Sequence, residues 1–196
     1  MIDSRQELRP VSIVRHMHHE VLFVDPGVDS VSTLLTDLRS GFDVVHLPES
    51  GDPIAAIALH MAGRRNVSAL HILSHGTPGA LDLSGQRIDA AALAARPTLT
   101  AAIREALSVD GEIVLYGCSV AQGPQGAAFV DVLSTLLDRP VAASDSLVGA
   151  ADLGGDWRIP ARGALAFGAE ARAAYPATLA KATFGIVTTI NTTTTL

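Results

Sequence analysis

Five apolar runs of strand length punctuate this chain, and a turn-forming or polar residue closes each one. Val21-Leu-Phe-Val24 is stopped by Asp25-Pro-Gly27; the later runs are Asp43 to Leu47, residues 68–74, residues 112–117 and Pro140 to Ser144. The runs are nearly continuous rather than alternating, the pattern of strands buried on both faces of a parallel sheet. Between them the spacing turns helical. Asp29 or Ser30 caps a helix to about Arg39, with Leu34, Leu35 and Leu38 on one face and Gly41 ending it. Asp52-Pro53 is an N-cap followed by proline at the first helical position, opening a helix to about Ala62.

Further on, Ile88 to Ala95 and Leu99 to Leu107 read as helices separated by Pro97. Gln125 to Leu137 is a longer helix that turns Phe129, Leu133, Leu136 and Leu137 inward. Leu81 to Ile88 alternates around Ser84-Gly85 and predicts a small hairpin. Asp156 to Ile159 and Ala164 to Phe167 are expected to form a last, antiparallel pair. Strands alternating with helices predict an α/β three-layer sandwich: a mostly parallel sheet with helices on both faces. The expected organisation is a flexible arm over 1–19, one domain over 20–170, and a flexible Thr-rich tail or linker over 171–196.

In such sheets ligands bind beyond the carboxyl ends of the strands. Two of those ends carry reactive side chains beside glycine: His75-Gly76 after the third strand, and Gly117-Cys118 after the fourth. Alone, a cysteine is usually a small buried hydrophobe and a histidine at a strand end a hydrogen-bonded structural residue. Strands that are neighbours lie about 4.8 Å apart, so matched ends bring a base to a thiol that is only a few per cent ionised by itself. The backbone N–H groups of Gly76 and Cys118 are candidate oxyanion donors. Asp25 after the first strand, Asp145 after the fifth and Ser119 share the same rim as candidate substrate-binding residues. The two carboxylates give a motive for a basic residue at a cleaved position.

Other candidates fall away. Gly117-Cys-Ser119-Val-Ala121 is like a serine nucleophile elbow, but the last histidine, His75, lies upstream of Ser119, the wrong chain order for that triad. His16, His18 and His19 with Glu20 are a metal candidate set in an unpatterned arm, where adjacent His18 and His19 point apart. His71 is expected to be packed or hydrogen-bonded, and Trp157 to be core.

Composition narrows the partners. Of 196 residues, 48% are hydrophobic but only 4% aromatic, so the core is built from Ala, Val, Leu and Ile. A net charge of −6 argues against nucleic acid and anionic membrane as partners. There is no apolar run of about 18 residues, so no membrane span is expected. Met1 to His19 shows no apolar core of a secretory signal; this fits a cytoplasmic protein or a module of a larger chain exported by another route. A single cysteine forms no internal disulfide and says nothing of the redox compartment.

Ile-Leu-Ser-His75-Gly76 followed by Leu-Tyr-Gly-Cys118 resembles the caspase–gingipain clan of cysteine peptidases, which includes metacaspases, separase and CHAT domains. The segment from Val21 to about Ile159 is also similar to a bacterial domain found near the start of very large surface or secreted repeat proteins. The features that carry this are Leu-Phe-Val-Asp25, Ser-His75-Gly76-Thr-Pro-Gly79, Leu-Tyr-Gly-Cys118-Ser-Val-Ala-Gln-Gly123 and Leu-Gly-Gly-Asp156-Trp157. The resemblance implies a caspase-like fold and a cysteine endopeptidase that needs no cofactor. In it Cys118 is the nucleophile, His75 its dyad partner, and Gly76 the oxyanion-side glycine. The resemblance does not fix a substrate; the expected one is an exposed peptide or protein segment, and a domain that cuts its own chain is expected to cut in the flanks, where Lys181, Arg9 and Arg15 offer basic positions. A catalytically inactive binding or capping module of a larger surface protein is the alternative. Asp25 matches one acidic position of the metacaspase basic pocket; Gly117 stands where the second would be, so the resemblance supports basic specificity only in part.

Overall fold

A computed structural model describes residues 19–181. Its elements run β1 (His19–Val24), α1 (Val31–Leu35), β2 (Phe42–His46), α2 (Pro53–Met61), β3 (Val67–Leu73), β4 (His75–Thr77), β5 (Ala80–Leu83), β6 (Gln86–Asp89), α3 (Ala90–Ala94), α4 (Pro97–Ala106), β7 (Leu107–Tyr116), α5 (Gly123–Leu137), β8 (Val141–Ala143) and α6 (Ala169–Ala174). β2-β1-β3-β7-β8 form one five-stranded sheet, in which every pairing is parallel. β4-β5-β6 form a separate antiparallel sheet that rises where β3 ends. The fold is the three-layer α/β arrangement that the spacing of apolar runs predicts. Among the described residues no helix is long and apolar enough to cross a membrane.

Strand alternation divides the core in two. Val21, Phe23, Leu70, Ile72, Ile113 and Leu115 face one layer, where they meet Ile54 and Ile57 of α2, Ile103 of α4, and Phe129 and Leu133 of α5. Leu22, Val24, Leu73, Val114 and Tyr116 face the other, with Leu34 of α1, Phe167, Ala171 of α6, Tyr175 and Leu179 buried on that side. Asp52 caps α2 as expected, accepting from the Ile54 and Ala55 N–H groups at 2.9 and 3.2 Å.

Two expectations are corrected. Asp156 to Ile159 and Ala164 to Phe167 do not pair as strands. Their stretch follows the sheet irregularly because side chains take its backbone groups. The Glu112 carboxylate accepts from Arg162 and Gly163 N–H, both at 2.9 Å; the Tyr116 hydroxyl accepts from Ala166 N–H at 2.7 Å; and the Arg39 guanidinium donates to the Leu165 and Ala164 carbonyls. α1 likewise stops at Leu35, since Leu38 bridges Phe167 and the Arg39 N–H donates to Ala166 O.

The second correction is the domain boundary. Residues 171–181 are not a flexible tail but part of the packed body, with Tyr175 and Leu179 buried. The expected arm before His19 and the Thr-rich run after Lys181 lie outside the described residues.

The sheet register sets the functional geometry. Leu73 of β3 is paired with Tyr116 of β7, and the Ser74 N–H donates to Tyr116 O at 3.0 Å, so the two chain segments leave the sheet side by side. Their contact tolerates no side chain at Gly76. A Cβ there would lie 2.7 Å from Cys118 O, 2.9 Å from Cys118 N and 2.6 Å from Val120 Cγ2. Gly76→Ala is therefore expected to lower the unfolding free energy by about 1–3 kcal/mol with an unchanged denaturant slope. Urea unfolding of the two chains side by side measures this.

Candidate active site

His75 and Cys118 come to one rim because β3 and β7 are neighbours in register. The imidazole is held by the loop after β1: its Nε2 lies 2.9 Å from Gly27 O. A carbonyl only accepts, so Nε2 carries a proton, and in the neutral ring the lone pair is then on Nδ1. That Nδ1 is buried and has no hydrogen-bond partner. An orphaned buried nitrogen calls for an explanation, and the Cys118 sulfur is not its partner.

Asp25 takes a different part from the one expected of it. It is not a pocket carboxylate: it is buried, and both its oxygens are occupied by backbone donors. Oδ1 accepts from Gly27 N–H at 2.9 Å and Oδ2 from Ser84 N–H at 2.5 Å. It shapes the loop that presents Gly27 O to His75 and ties that loop to the β5–β6 turn. Asp145 is exposed, and its neighbour in a surface hollow is Arg158. The two carboxylates do not converge, so the motive for a basic cleaved residue is gone. Ser119 has a turn role: its φ is 57° and its N–H donates to Ser146 O at 2.8 Å. This swings the chain from Cys118 toward α5.

Cys118 is 1% exposed. Its sulfur accepts from Val148 N–H at 3.2 Å and lies 3.4 Å from Val148 O, within reach of donation. Burial pushes the thiol above its ordinary range, and hydrogen bonds from the backbone at Val148 and Leu179 counter this only in part. The cover is the chain itself. Residues 175–181 cross the rim between two backbones. The Leu179 N–H donates to Val148 O at 2.8 Å, the Ala150 N–H to Ala177 O at 2.9 Å, and the Gly76 N–H to Leu179 O at 3.1 Å. Thr178 pairs antiparallel with Gly149, and Ala180 pairs in parallel with Gly76. One expected oxyanion donor, Gly76 N–H, is thus already holding a carbonyl.

Gly149 makes the crossing possible, with φ at 136° and no room for a Cβ, which would fall 2.3 Å from Ala177 O. At the far end Lys181 forms an ion pair with Asp82. The sequence pattern marks neither Val148 nor Leu179 as functional. The one available signal is Leu179 itself, a lone large apolar residue in a run of Ala, Thr and Pro.

The remaining candidates are structural. His71 is buried, with Nδ1 3.1 Å from the Tyr116 hydroxyl and Nε2 3.0 Å from Glu20 Oε2. Burial works to raise the Glu20 carboxyl; its bonds and charge contacts with His71 and Arg39 outweigh this and hold it below the ordinary carboxylate range. Trp157 packs its ring on Phe167 and Tyr175. His16, His18 and the His19 side chain lie outside the described residues. Among those described, no group of three His, Cys, Asp or Glu side chains could hold a metal ion.

The covered thiol has a measurable signature. Alkylation of Cys118 by iodoacetamide is expected to be slower than that of free cysteine, to inflect at higher pH because the thiol is shifted upward, and to reach the free rate in unfolding urea. A native rate equal to that of free cysteine at every pH would contradict the burial.

No curated protein and no solved structure matches this chain. A family model does, over residues 21–179, a span that begins within β1 and ends at the residue whose carbonyl sits on Gly76. That match covers most of the chain, which therefore belongs to the family described as a domain of unknown function, DUF4347.

Proposed function

We propose that the domain is a cysteine endopeptidase in which His75 and Cys118 act as a dyad on an extended peptide segment. The observation that carries the reading is the state of His75. Its Nε2 is fixed by Gly27 O, and its Nδ1 is buried and unpartnered, at a strand end in register with the one that bears the thiol. The backbone beside it supports the same reading, because the Gly76 N–H already donates to a carbonyl at this rim, as an oxyanion donor would. The resemblance of Ser-His75-Gly76 and Tyr-Gly-Cys118 to caspase-like peptidases points the same way.

In the proposed reaction Cys118 attacks the peptide carbonyl. His75 carries the thiol proton to the leaving amine, then takes a proton from the water that releases the acyl group. The apolar surroundings of Cys118 raise its thiol, so the imidazole is needed to generate the thiolate. The substrate strand is held by backbone donors and acceptors at Gly76, Val148 and Ala150, the addition of a strand to exposed backbone.

The burial of Cys118 is the one observation that favours a non-catalytic binding or capping module. Turnover separates the two readings. Hydrolysis of a fluorogenic peptide library is expected to be lost in Cys118→Ala and to fall by about 10²–10⁴ in His75→Ala, both chains melting near the wild type. A Cys118→Ala chain that still turns over, or a wild-type chain that neither hydrolyses any peptide nor reacts with peptidyl acyloxymethyl ketones, would leave the binding module.

A further inference from the structure

We infer that the Leu179–Ala180 peptide bond is a self-processing site, so that the domain's own C-terminal segment is its substrate and an apolar residue occupies the cleaved position. The inference rests on the dyad reading above and names the substrate of that site.

Three backbone contacts hold the residue before this bond at the rim that carries the thiol. The Leu179 carbonyl oxygen is the one that accepts from Gly76 N–H, the donor beside His75. The Leu179 N–H donates to Val148 O, the same residue whose N–H reaches the Cys118 sulfur. Ala177 O accepts from Ala150 N–H, which fixes the chain two residues before the bond and closes the antiparallel bridge of Thr178 to Gly149. A segment held on both edges, with one carbonyl on an oxyanion donor and its residue's backbone at a nucleophile, has the geometry of a bound substrate.

The side-chain sites agree. Leu179 is fully buried, in the apolar cluster that also holds Cys118, Val148 and Tyr175. Beyond the bond, Ala180 pairs with Gly76, and Lys181 is anchored to Asp82 above a small hollow lined by Gly76, Thr77 and Leu81. Lys181 thus sits on the leaving side of the bond, not at the cleaved position that its charge suggests from sequence.

The step balances with water alone. The Cys118 sulfur forms a bond to the Leu179 carbonyl carbon, the Leu179–Ala180 C–N bond breaks, and the thiol proton passes through His75 to the Ala180 nitrogen. Water then attacks the thioester and the C–S bond breaks; one of its protons returns through His75 to the thiolate, the other goes to the freed Ala180 amine, and Leu179 is left as a carboxylate. The products are a chain ending at Leu179 and the fragment 180–196.

Intact-mass analysis and N-terminal sequencing of the full 196-residue chain test this. The expected result is a species ending at Leu179 and a new N-terminus at Ala180 from the wild type, both lost in Cys118→Ala. Leu179→Asp places a charge in the apolar pocket and is expected to lose the cut while exposing the thiol. Gly149→Ala, which pushes against Ala177 O without touching the dyad, is a second way to lift the segment.

An uncut wild-type chain, a cut at another bond, or the same cut in Cys118→Ala overturns the inference. Labelling of Cys118 by acetyl-Ala-Thr-Leu acyloxymethyl ketone in the Leu179→Asp chain reports on the dyad separately. Label in that chain beside an uncut wild type leaves the peptidase reading standing and removes this one. No label there and no cut in the wild type removes both.

Discussion

The contact between the chain leaving β3 and the chain leaving β7 governs this molecule. Two parallel strands in register deliver their ends side by side, but backbones approach as these do only where side chains are absent. Gly76 and Gly117 supply that absence: a Cβ on Gly117 would come within 3.3 Å of Gly76 Cα, and one on Gly76 would collide with Cys118. The glycines are thus steric requirements of the register rather than sources of flexibility. Once the two segments touch, the N–H of Gly76 and the thiol share one rim, and whatever lies across that rim must interact with both.

What lies across it is the polypeptide itself. The crossing segment is held by backbone hydrogen bonds worth about 1 kcal/mol each in net terms. Burying a leucine such as Leu179 adds about 2 kcal/mol. Those contributions complete the apolar layer below the sheet, because Leu179 and Tyr175 fill it together with Leu22, Val114 and Tyr116. The same segment buries the thiol, which raises it, and its Leu179 carbonyl holds the Gly76 N–H. Stability and accessibility are therefore opposed at this site: removing the segment exposes Cys118 and opens part of the core.

Polar side chains do the work elsewhere that strands were expected to do. Glu112, Tyr116 and Arg39 bind the irregular run 162–166 through its backbone. Asp25 binds two loops in the same way. Each buried carboxylate satisfies two N–H groups, a cheap means of fixing a loop that has no ladder of its own. This is why an acid at the end of a strand was a misleading sign of a substrate pocket. Asp25 stands at the right place in the chain, but its oxygens are turned to Gly27 and Ser84, and it acts on the site only through the loop that holds His75.

Periodicity and turn residues alone determined the layer architecture, five of the strands, the Asp52 cap, the hairpin at Ser84-Gly85 and the placing of His75 and Cys118 at neighbouring strand ends. All of these are local: an apolar run, a cap or a glycine acts on residues within a few positions of itself. Tertiary structure alone decided the tautomer of His75, the inward turn of Asp25, the separation of Asp145 from it, and the crossing of residues 175–181. Each depends on a partner 48 or more residues away, such as Gly27 O for His75 and Ser84 N for Asp25, or on a packing layer that exists only after the sheet has formed. The segment around Leu179 looked like a linker because Ala, Thr and Pro form no periodic face. It is ordered by hydrogen bonds from its backbone and by one buried leucine, and a backbone carries no sequence signal.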